Sequence, residues 1–377
     1  MASGTLVRTL GTAVLAAVVV VSPATAVAAP APPPAPGDVA GLLSELQRLY
    51  QQAEEATESY NGTAAELKKR AARAKKLDAA LVTARRSLAD GRDAAGRLAR
   101  EQYQGRSELS AYLRLLLMRD PEAALTQGQV IQRLAAGRAA AVRRLGAAEK
   151  RADELARESR KVLAEQRTLT ARRKKERDTV RTRLKQVEAM LATLSPDQLA
   201  DVNGLQRKNT DRAQSALAGA LSSSRPPTAQ GGAAVRYAVR QIGKPYVWGA
   251  EGPDSFDCSG LTSRAWASAG RVIPRTSQEQ WRQLTRIPMS ALRPGDLVVY
   301  FPKATHVALY LGNGLVVQAP RPGSRVKVSP VASNPVLGAV RPDPAGTPLA
   351  SYRGPELPAG ATDGSDEGYG SAAAPAS

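Results

Sequence analysis

The sequence predicts a long α-helical hairpin followed by a small α+β domain, and three observations favour this fold class. Apolar residues recur every seven positions through much of the first half of the chain. Aromatic residues make up only 4% of the chain, and its first half is poor in the bulky side chains of a globular core. Short alternating apolar segments between turn residues follow later, as in an antiparallel sheet. The chain has 377 residues, so two or three units are expected at roughly 150 residues each.

Residues 1–28 have the pattern of a secretory signal peptide. Arg8 precedes an apolar run from Leu10 to Val21, and small residues at 24–29 supply an Ala-x-Ala cleavage signal. The run is about 12 residues long, shorter than the roughly 20 that span a bilayer, and an uncleaved membrane anchor is the alternative. Residues 29–37 form a Pro-rich spacer. The mature chain is therefore expected to be exported.

Two series of apolar residues at heptad spacing predict a coiled-coil helical hairpin over residues 38–212. The first series is Leu46, Ala53, Tyr60, Leu67, Ala74, Leu81, Leu88 and Ala95. The second is Leu134, Ala141, Ala148, Leu155, Val162 and Leu169. The segment between them, Tyr103–Gln132, contains an apolar run and is predicted to form the hairpin tip. This tip either packs only against the two helices or provides a docking site for a partner.

Positive charge is in excess, with 53 Lys and Arg against 34 Asp and Glu and a formal net charge of +19. Most charges in the hairpin are expected on solvated helix faces. The excess also favours an anionic polymer or a membrane surface as a partner. Because export is expected, wall polymers or phospholipid are preferred, and no binding of nucleic acid is predicted.

Composition divides the rest of the chain into three parts. Residues 213–232, rich in Ser, Pro and Gly near their end, are predicted to be a flexible linker. A compact domain is expected at 233–342. Residues 343–377 form a low-complexity segment poor in apolar residues, and a disordered tail is predicted there.

Cysteine and histidine each occur once, which excludes an internal disulfide framework, a multi-Cys zinc site and a His-rich metal site. Cys258 begins a predicted helix, where the helix dipole and free N–H groups should lower the thiol pKa. His306 lies on a predicted strand, and Gln318 lies on the neighbouring strand within reach of the imidazole. Such a trio is typical of thiol proteases. On the residues alone, a buried structural cysteine and two ordinary strand residues remain the alternative.

Five blocks of sequence occur in order: Gly243–Gly249, Phe256–Leu261, Pro274–Gln278, Leu292–Leu297 and His306–Gly314. Together they resemble the NlpC-type family of papain-like cell-wall cysteine endopeptidases. The resemblance covers residues 233–341, just under a third of the chain. The signal peptide and helical hairpin before it resemble the secreted bacterial peptidoglycan hydrolases that act in daughter-cell separation.

The resemblance implies a papain-like α+β fold, in which a helix with the nucleophile packs on an antiparallel sheet with the base. It implies that Cys258 is the nucleophile, His306 the general base, and Gln318 the residue that orients His306. The family often has His at this third position, and Gln can orient the imidazole but adds no negative charge. Tyr246 matches the tyrosine that helps the backbone N–H of Cys258 to bind the oxyanion.

The resemblance also implies a substrate. Asp257, Ser259 and Ser277 match positions that contact the stem peptide in relatives. The bond usually cut joins the D-glutamate γ-carboxyl to the diamino acid. The implied protein is a secreted hydrolase of the cell wall that needs no metal or cofactor, and a membrane division complex is the expected partner of the coiled coil. The alternatives are a non-catalytic wall-associated scaffold and a papain-like amidase that releases whole stem peptides.

Overall fold

The computed structural model describes residues 38–103, 117, 121–221 and 225–363. The predicted signal peptide at 1–28 and the Pro-rich spacer at 29–37 lie outside the described residues, as does most of 104–120 in the predicted hairpin tip. None of the described helices combines the length and the apolar character that crossing a membrane requires.

Two long helices follow, α1 at Val39–Tyr103 and α2 at Pro121–Ala192. Ion pairs show that they run antiparallel, because the partner in α2 moves back along the chain as α1 advances. The pairs are Arg70 with Glu165, Arg73 with Glu158 and Arg92 with Glu149. Predicted heptad positions are buried between the helices, among them Leu46, Leu81, Leu155 and Val162. The predicted pair of long helices is therefore confirmed, but it ends at Ala192 and not at residue 212 as predicted.

A third helix, α3 at Pro196–Leu221, occupies part of the segment predicted to be a linker. Leu217 and Leu221 pack on the sheet of the following domain. Gln214 donates to the carbonyl of Gly314 at 2.9 Å, and its own oxygen accepts from the N–H of Ala332 at 2.9 Å. The prediction of a flexible linker at 213–232 is thus wrong for residues 213–221. Composition missed that leucines four positions apart put apolar surface on one helix face.

The domain after α3 begins with α4 at Ala229–Val239, whose first four residues lie inside the predicted linker. Thr228 caps this helix by accepting the N–H of Gly231 at 2.9 Å. Two further helices follow, α5 at Cys258–Ser268 and α6 at Ser277–Gln283. The strands are β1 Thr285–Ile287, β2 Leu297–Tyr300, β3 His306–Gly312, β4 Leu315–Gln318, β5 Lys327–Pro330 and β6 Val336–Arg341.

These strands form one antiparallel sheet in the order β1-β6-β2-β3-β4-β5. Side chains alternate along each strand, and both faces of the sheet are covered. One face packs with α4 and α5 through Leu297, Val299, Val307, Leu309 and Val317. The other face packs with α3 through Val298, Tyr300, Ala308, Tyr310 and Val316. The predicted α+β class of this domain is confirmed.

The chain beyond β6 stays on the domain surface as far as the structure describes it. Asp343 is 3% exposed and forms an ion pair with Arg293 at 3.1 Å. Ala361 is also buried, and its carbonyl accepts the N–H of Val328 at 2.8 Å. The prediction of a disordered tail therefore does not hold for residues 343–363, because backbone and ionic contacts hold a segment that has few apolar side chains. Residues 364–377 lie outside the described part of the chain.

Candidate active site

Cys258 occupies the first position of helix α5, as the sequence predicted. Asp257 is the cap of this helix, with extended backbone and a carboxylate that accepts the N–H of Gly260 at 2.6 Å. Gly260 is required by a close approach, because a Cβ there would lie 2.1 Å from the carbonyl oxygen of Ala250. The Asp-Cys-Ser-Gly sequence thus fixes both the helix start and the place of the thiol.

His306 begins β3 and Gln318 ends β4, and both side chains are fully buried. His306 Nε2 lies 2.7 Å from Gln318 Oε1. A second hydrogen bond fixes the orientation of the Gln318 amide, because its Nε2 donates to Ser329 Oγ at 2.8 Å. An amide oxygen only accepts, so Nε2 of His306 carries a proton. In the neutral imidazole, Nδ1 is then the nitrogen that can accept a proton from a thiol.

The four residues expected to contact substrate or oxyanion also lie around Cys258. Ser259 and Ser277 are completely buried, as is Asp257. Arg275 joins them by donating to Ser259 Oγ at 2.9 Å and to Asp257 Oδ2 at 2.7 Å. Tyr246 is buried beside the thiol: burial, followed by the charge of Cys258, raises the pKa of its hydroxyl well above the usual value. The sequence-predicted residues are therefore brought together.

Helix α1 inserts Glu58 into this cluster, which the sequence did not predict. One oxygen of Glu58 accepts the N–H of Ser277 at 2.7 Å and its hydroxyl at 3.0 Å. The other oxygen accepts from Ser259 Oγ at 2.8 Å and lies 3.9 Å from Cys258 Sγ. Burial first, and the charge of Asp257 second, raise the pKa of Glu58 to about 7. A carboxylate of the hairpin therefore fills the space next to the thiol.

Two more residues of α1 contact the same site. Glu54 Oε1 lies 3.3 Å from His306 Nδ1, the nitrogen that would accept the thiol proton. Burial acts to lower the pKa of His306, but the nearby charge of Glu54 outweighs it and the pKa is raised. Asn61 donates to Asp257 Oδ2 at 2.9 Å. Helix α1 thus contacts both His306 and Asp257, the cap of helix α5.

Two further contacts from the same stretch of α1 also hold it against the domain. Tyr60 packs edge-on against Trp248, with ring centroids 4.9 Å apart. Lys303 Nζ contacts both oxygens of Glu55 at 2.9 and 3.1 Å. Both are surface or partly buried contacts, so they add less than the buried hydrogen bonds of Glu58.

The prediction of a lowered thiol pKa is wrong for this arrangement. Burial first, followed by the charges of Glu58, Asp257 and Glu54, raises the pKa of Cys258 well above its usual value. The helix terminus is present, but three carboxylates and the loss of water outweigh it. Among the described residues, no hydrogen bond joins Cys258 Sγ to His306. A raised pKa keeps the thiol protonated, and Nδ1 of His306 faces Glu54, so the described arrangement does not favour attack by a thiolate.

Glu58, Asp257 and Cys258 present possible metal-ligand atoms within 4.8 Å of one another. Their donor atoms already have partners, since Glu58 accepts from two serines and Asp257 pairs with Arg275. The guanidinium of Arg275 would also repel a cation at this point. We therefore assign no metal to this cluster.

Sequence patterns alone do not single out Glu54, Glu58 and Asn61 as contacts of this site. Their spacing places them on one face of α1, yet charged and amide side chains on a coiled coil are ordinarily solvated. The one available signal was in the second heptad position of α1, where Leu49 and Ala56 are followed seven residues later by the polar Thr63. Thr63 is itself buried, at 5% exposure.

The carboxyl-terminal domain is similar to known proteins. Residues 243–339 match the model of the NlpC/P60 family. A probable endopeptidase of Corynebacterium glutamicum is 44% identical over 119 residues, which cover 31% of this chain and 57% of the relative. Peptidoglycan endopeptidase RipA of Mycolicibacterium smegmatis is 42% identical over 126 residues, covering 29% of this chain and 25% of RipA. The chain thus spans about half or less of these relatives.

A solved structure is also similar. It is RipD from Mycobacterium tuberculosis, described as a non-catalytic NlpC/p60 domain protein adapted to peptidoglycan binding. It is 32% identical, with a TM-score of 0.28, and the match covers 30% of this chain and 98% of that one.

Proposed function

Because residues 243–339 belong to the NlpC/P60 family, we propose that this chain is a cysteine endopeptidase that cleaves peptidoglycan stem peptides. The expected bond joins D-glutamate to the diamino acid. The observation that carries the proposal is the site itself, in which Cys258 begins a helix that packs on the sheet holding the buried His306–Gln318 pair. Export of the mature chain to the cell wall is part of the proposal.

The chemistry follows from the two nitrogens of His306. Nε2 is held by Gln318, so Nδ1 takes the proton of Cys258 as the thiolate attacks the carbonyl carbon. The backbone N–H of Cys258 and the hydroxyl of Tyr246 stabilise the oxyanion. His306 then protonates the leaving amine, and a thioester remains on Cys258. Water activated by the same nitrogen hydrolyses the thioester and restores the thiol.

Substrate contacts are proposed for the cluster beside the thiol. Ser259 and Ser277 offer two hydroxyls and one backbone N–H, which now bind the carboxylate of Glu58. Asp257 now accepts from the amide of Asn61. A stem peptide carries carboxylate and amide groups like those of Glu58 and Asn61. Once α1 has left the cleft, the peptide would therefore bind the same serines and Asp257.

The hairpin is proposed to restrain the enzyme. We call the described arrangement the closed form, and one in which α1 has left the site the open form. In the closed form Glu58 blocks the space beside the thiol, and Glu54 holds the nitrogen that should act as base. A membrane complex of the division machinery is the proposed partner, and it would favour the open form through the hairpin. This arrangement suits a hydrolase that acts in daughter-cell separation.

The test uses the full chain and a variant with Glu54→Ala and Glu58→Ala. Purified cell wall is digested by each, and mass spectrometry identifies the bond that is cut. We expect slow release by the wild-type chain and at least tenfold faster release by the double variant. Equal rates would contradict the proposed restraint by α1. If neither chain released products in a thiol-dependent reaction while the fold stayed intact, the proposed endopeptidase activity would be contradicted.

A non-catalytic wall-binding protein is the second candidate, favoured by the buried, protonated state of Cys258 in the closed form. It predicts that the double variant binds wall peptides without cleaving them. An amidase on the same fold predicts a different product, because whole stem peptides would be released from the glycan. The same mass spectra separate the three outcomes.

A further inference from the structure

Helix α1 lies along the cleft, and its side chains mark successive positions there. The contacting face consists of Tyr50, Glu54, Glu58 and Asn61. Their partners, in the same order, are Arg321, His306, the pair Ser259 and Ser277, and Asp257. Successive positions lie about 4.5–6 Å apart along the axis, at 1.5 Å per residue. The cleft therefore has Arg321 at one end, Asp257 at the other, and the thiol and imidazole between them.

Arg321 is held firmly at its end of the cleft. It follows Gln318 by three residues, and its N–H donates to Ser324 Oγ at 3.0 Å. The carbonyl of Ser324 in turn accepts the N–H of Tyr246 at 2.9 Å. The side chain is largely buried, with its guanidinium over the ring of Tyr50 at 4.5 Å from the centroid. Because Tyr50 belongs to α1, this cover is lost in the open form.

The guanidinium acts on the catalytic base. Burial has the largest effect on the pKa of His306 and lowers it, and the charge of Arg321 lowers it further, against the stronger raising effect of Glu54. Arg321 and Glu54 also line the same small cavity. The closed form thus already holds a carboxylate in the part of the cleft that Arg321 lines.

The chemistry decides which part of a substrate reaches Arg321. The proton that His306 takes from the thiol passes to the leaving amine. The leaving portion of the peptide must therefore lie beside His306, on the side away from Ser259 and Ser277. Beyond the scissile bond, the leaving portion continues along the cleft by about one helical turn of α1. That distance brings it to Arg321.

We propose that Arg321 is a specificity residue that binds a carboxylate on the leaving portion of the stem peptide. The inference rests on the proposed function and narrows its substrate class to stem peptides whose diamino acid keeps a free carboxylate. Arginine binds a carboxylate through two parallel N–H···O bonds with full opposite charge. A carboxamide has one acceptor oxygen and no charge, so it is the poorer ligand.

The test uses the full chain with Glu54→Ala and Glu58→Ala, and two synthetic stem peptides that differ only in one group. One carries a free carboxylate on the diamino acid, and the other carries a carboxamide. We expect a preference of about 10- to 100-fold in kcat/KM for the carboxylate, chiefly through KM. Arg321→Gln should reduce the preference to about onefold. It should also move the acidic limb of the pH–rate profile to higher pH, because a cation near His306 is removed.

Arg325→Gln is the matched control, since Arg325 lies on the same loop, is exposed, and donates to the carbonyl of Gly243. It should keep the preference and the pH profile. A preference that survives Arg321→Gln, or is absent from the parent chain, overturns the inference. If neither peptide is cleaved, the proposed function fails, and the role of Arg321 is tested by binding alone. Equal dissociation constants for the carboxylate and the carboxamide peptide would then overturn that role.

Discussion

The restraint by α1 should weaken as pH rises, and Glu58 should cause much of the change. In the closed form its pKa is raised from 4.5 to about 7, by burial first and by Asp257 second. In the open form water surrounds the carboxyl group, and its pKa returns towards 4.5. The closed form therefore binds the proton more tightly. Its advantage is complete below about pH 4.5 and is lost as pH rises to about 7.

The size of this effect follows from the two pKa values. The difference between 4.5 and about 7 corresponds to about 3 kcal/mol, at 1.36 kcal/mol per pKa unit. The ratio of closed to open chains should therefore fall by about 300-fold over that range. His306 acts in the same direction, because Glu54 outweighs the effect of burial and raises its pKa in the closed form.

Glu58→Gln isolates the contribution of the carboxyl group. Glutamine keeps an oxygen that can accept the N–H of Ser277, but it does not titrate. Hydrolysis of purified wall is measured between about pH 5 and pH 8 for this variant, the wild-type chain and the double variant Glu54→Ala with Glu58→Ala. Dividing each rate by that of the double variant removes the pH dependence of the chemistry itself.

The wild-type ratio should rise with pH, and the Glu58→Gln ratio should stay low and change much less. Two results would refute the reasoning. One is a wild-type ratio that does not change across this range. The other is a Glu58→Gln ratio that rises in parallel with it, because the titrating group would then lie elsewhere.

Three further predictions concern single side chains, the first two measured in the double variant. Cys258→Ala and His306→Ala should each abolish wall digestion with the fold retained by circular dichroism, and residual thiol-independent cleavage would contradict this. Loss of a general base typically lowers kcat by about 10²- to 10⁴-fold, and Gln318→Ala should lower it by less than that. Gln318→His should be tolerated. If Gln318→Ala lost as much activity as Cys258→Ala, the orienting role would be contradicted. In the wild-type chain, Leu221→Ala should lower stability by about 2–5 kcal/mol, seen as a lower Tm, because Leu221 packs on the sheet. An unchanged Tm would show that α3 is not held there.

Local sequence was sufficient for the residues proposed to carry the chemistry. Asp257 caps the helix, Cys258 is its first residue, and Gly260 permits a close approach of the backbone. Each of these features depends on only a few neighbouring residues. Strand alternation placed His306 and Gln318 near each other, and the structure has them 2.7 Å apart. The predicted α+β class succeeded for the same reason, since it depends on short-range periodicity.

Contacts between distant parts of the chain could not be predicted in this way. Glu58 and Ser259 are 201 residues apart, and no periodicity in α1 distinguishes a solvated glutamate from one that a second domain will bury. The error at residues 213–221 has a different cause. Their own Ala and Leu content favours a helix, but the prediction joined them to the Ser-, Pro- and Gly-rich residues that follow, and the sheet that Leu217 and Leu221 cover holds the helix in place.

The entry and exit of the carboxyl-terminal domain lie side by side. Thr228, which caps α4, pairs with Pro348, and the N–H of Leu349 donates to the carbonyl of Pro227 at 2.8 Å. Chain that arrives before the domain and chain that leaves it are thus joined at one corner. Neighbouring ends of this kind are what allow a domain to be inserted into or fused with another chain while its internal geometry is kept.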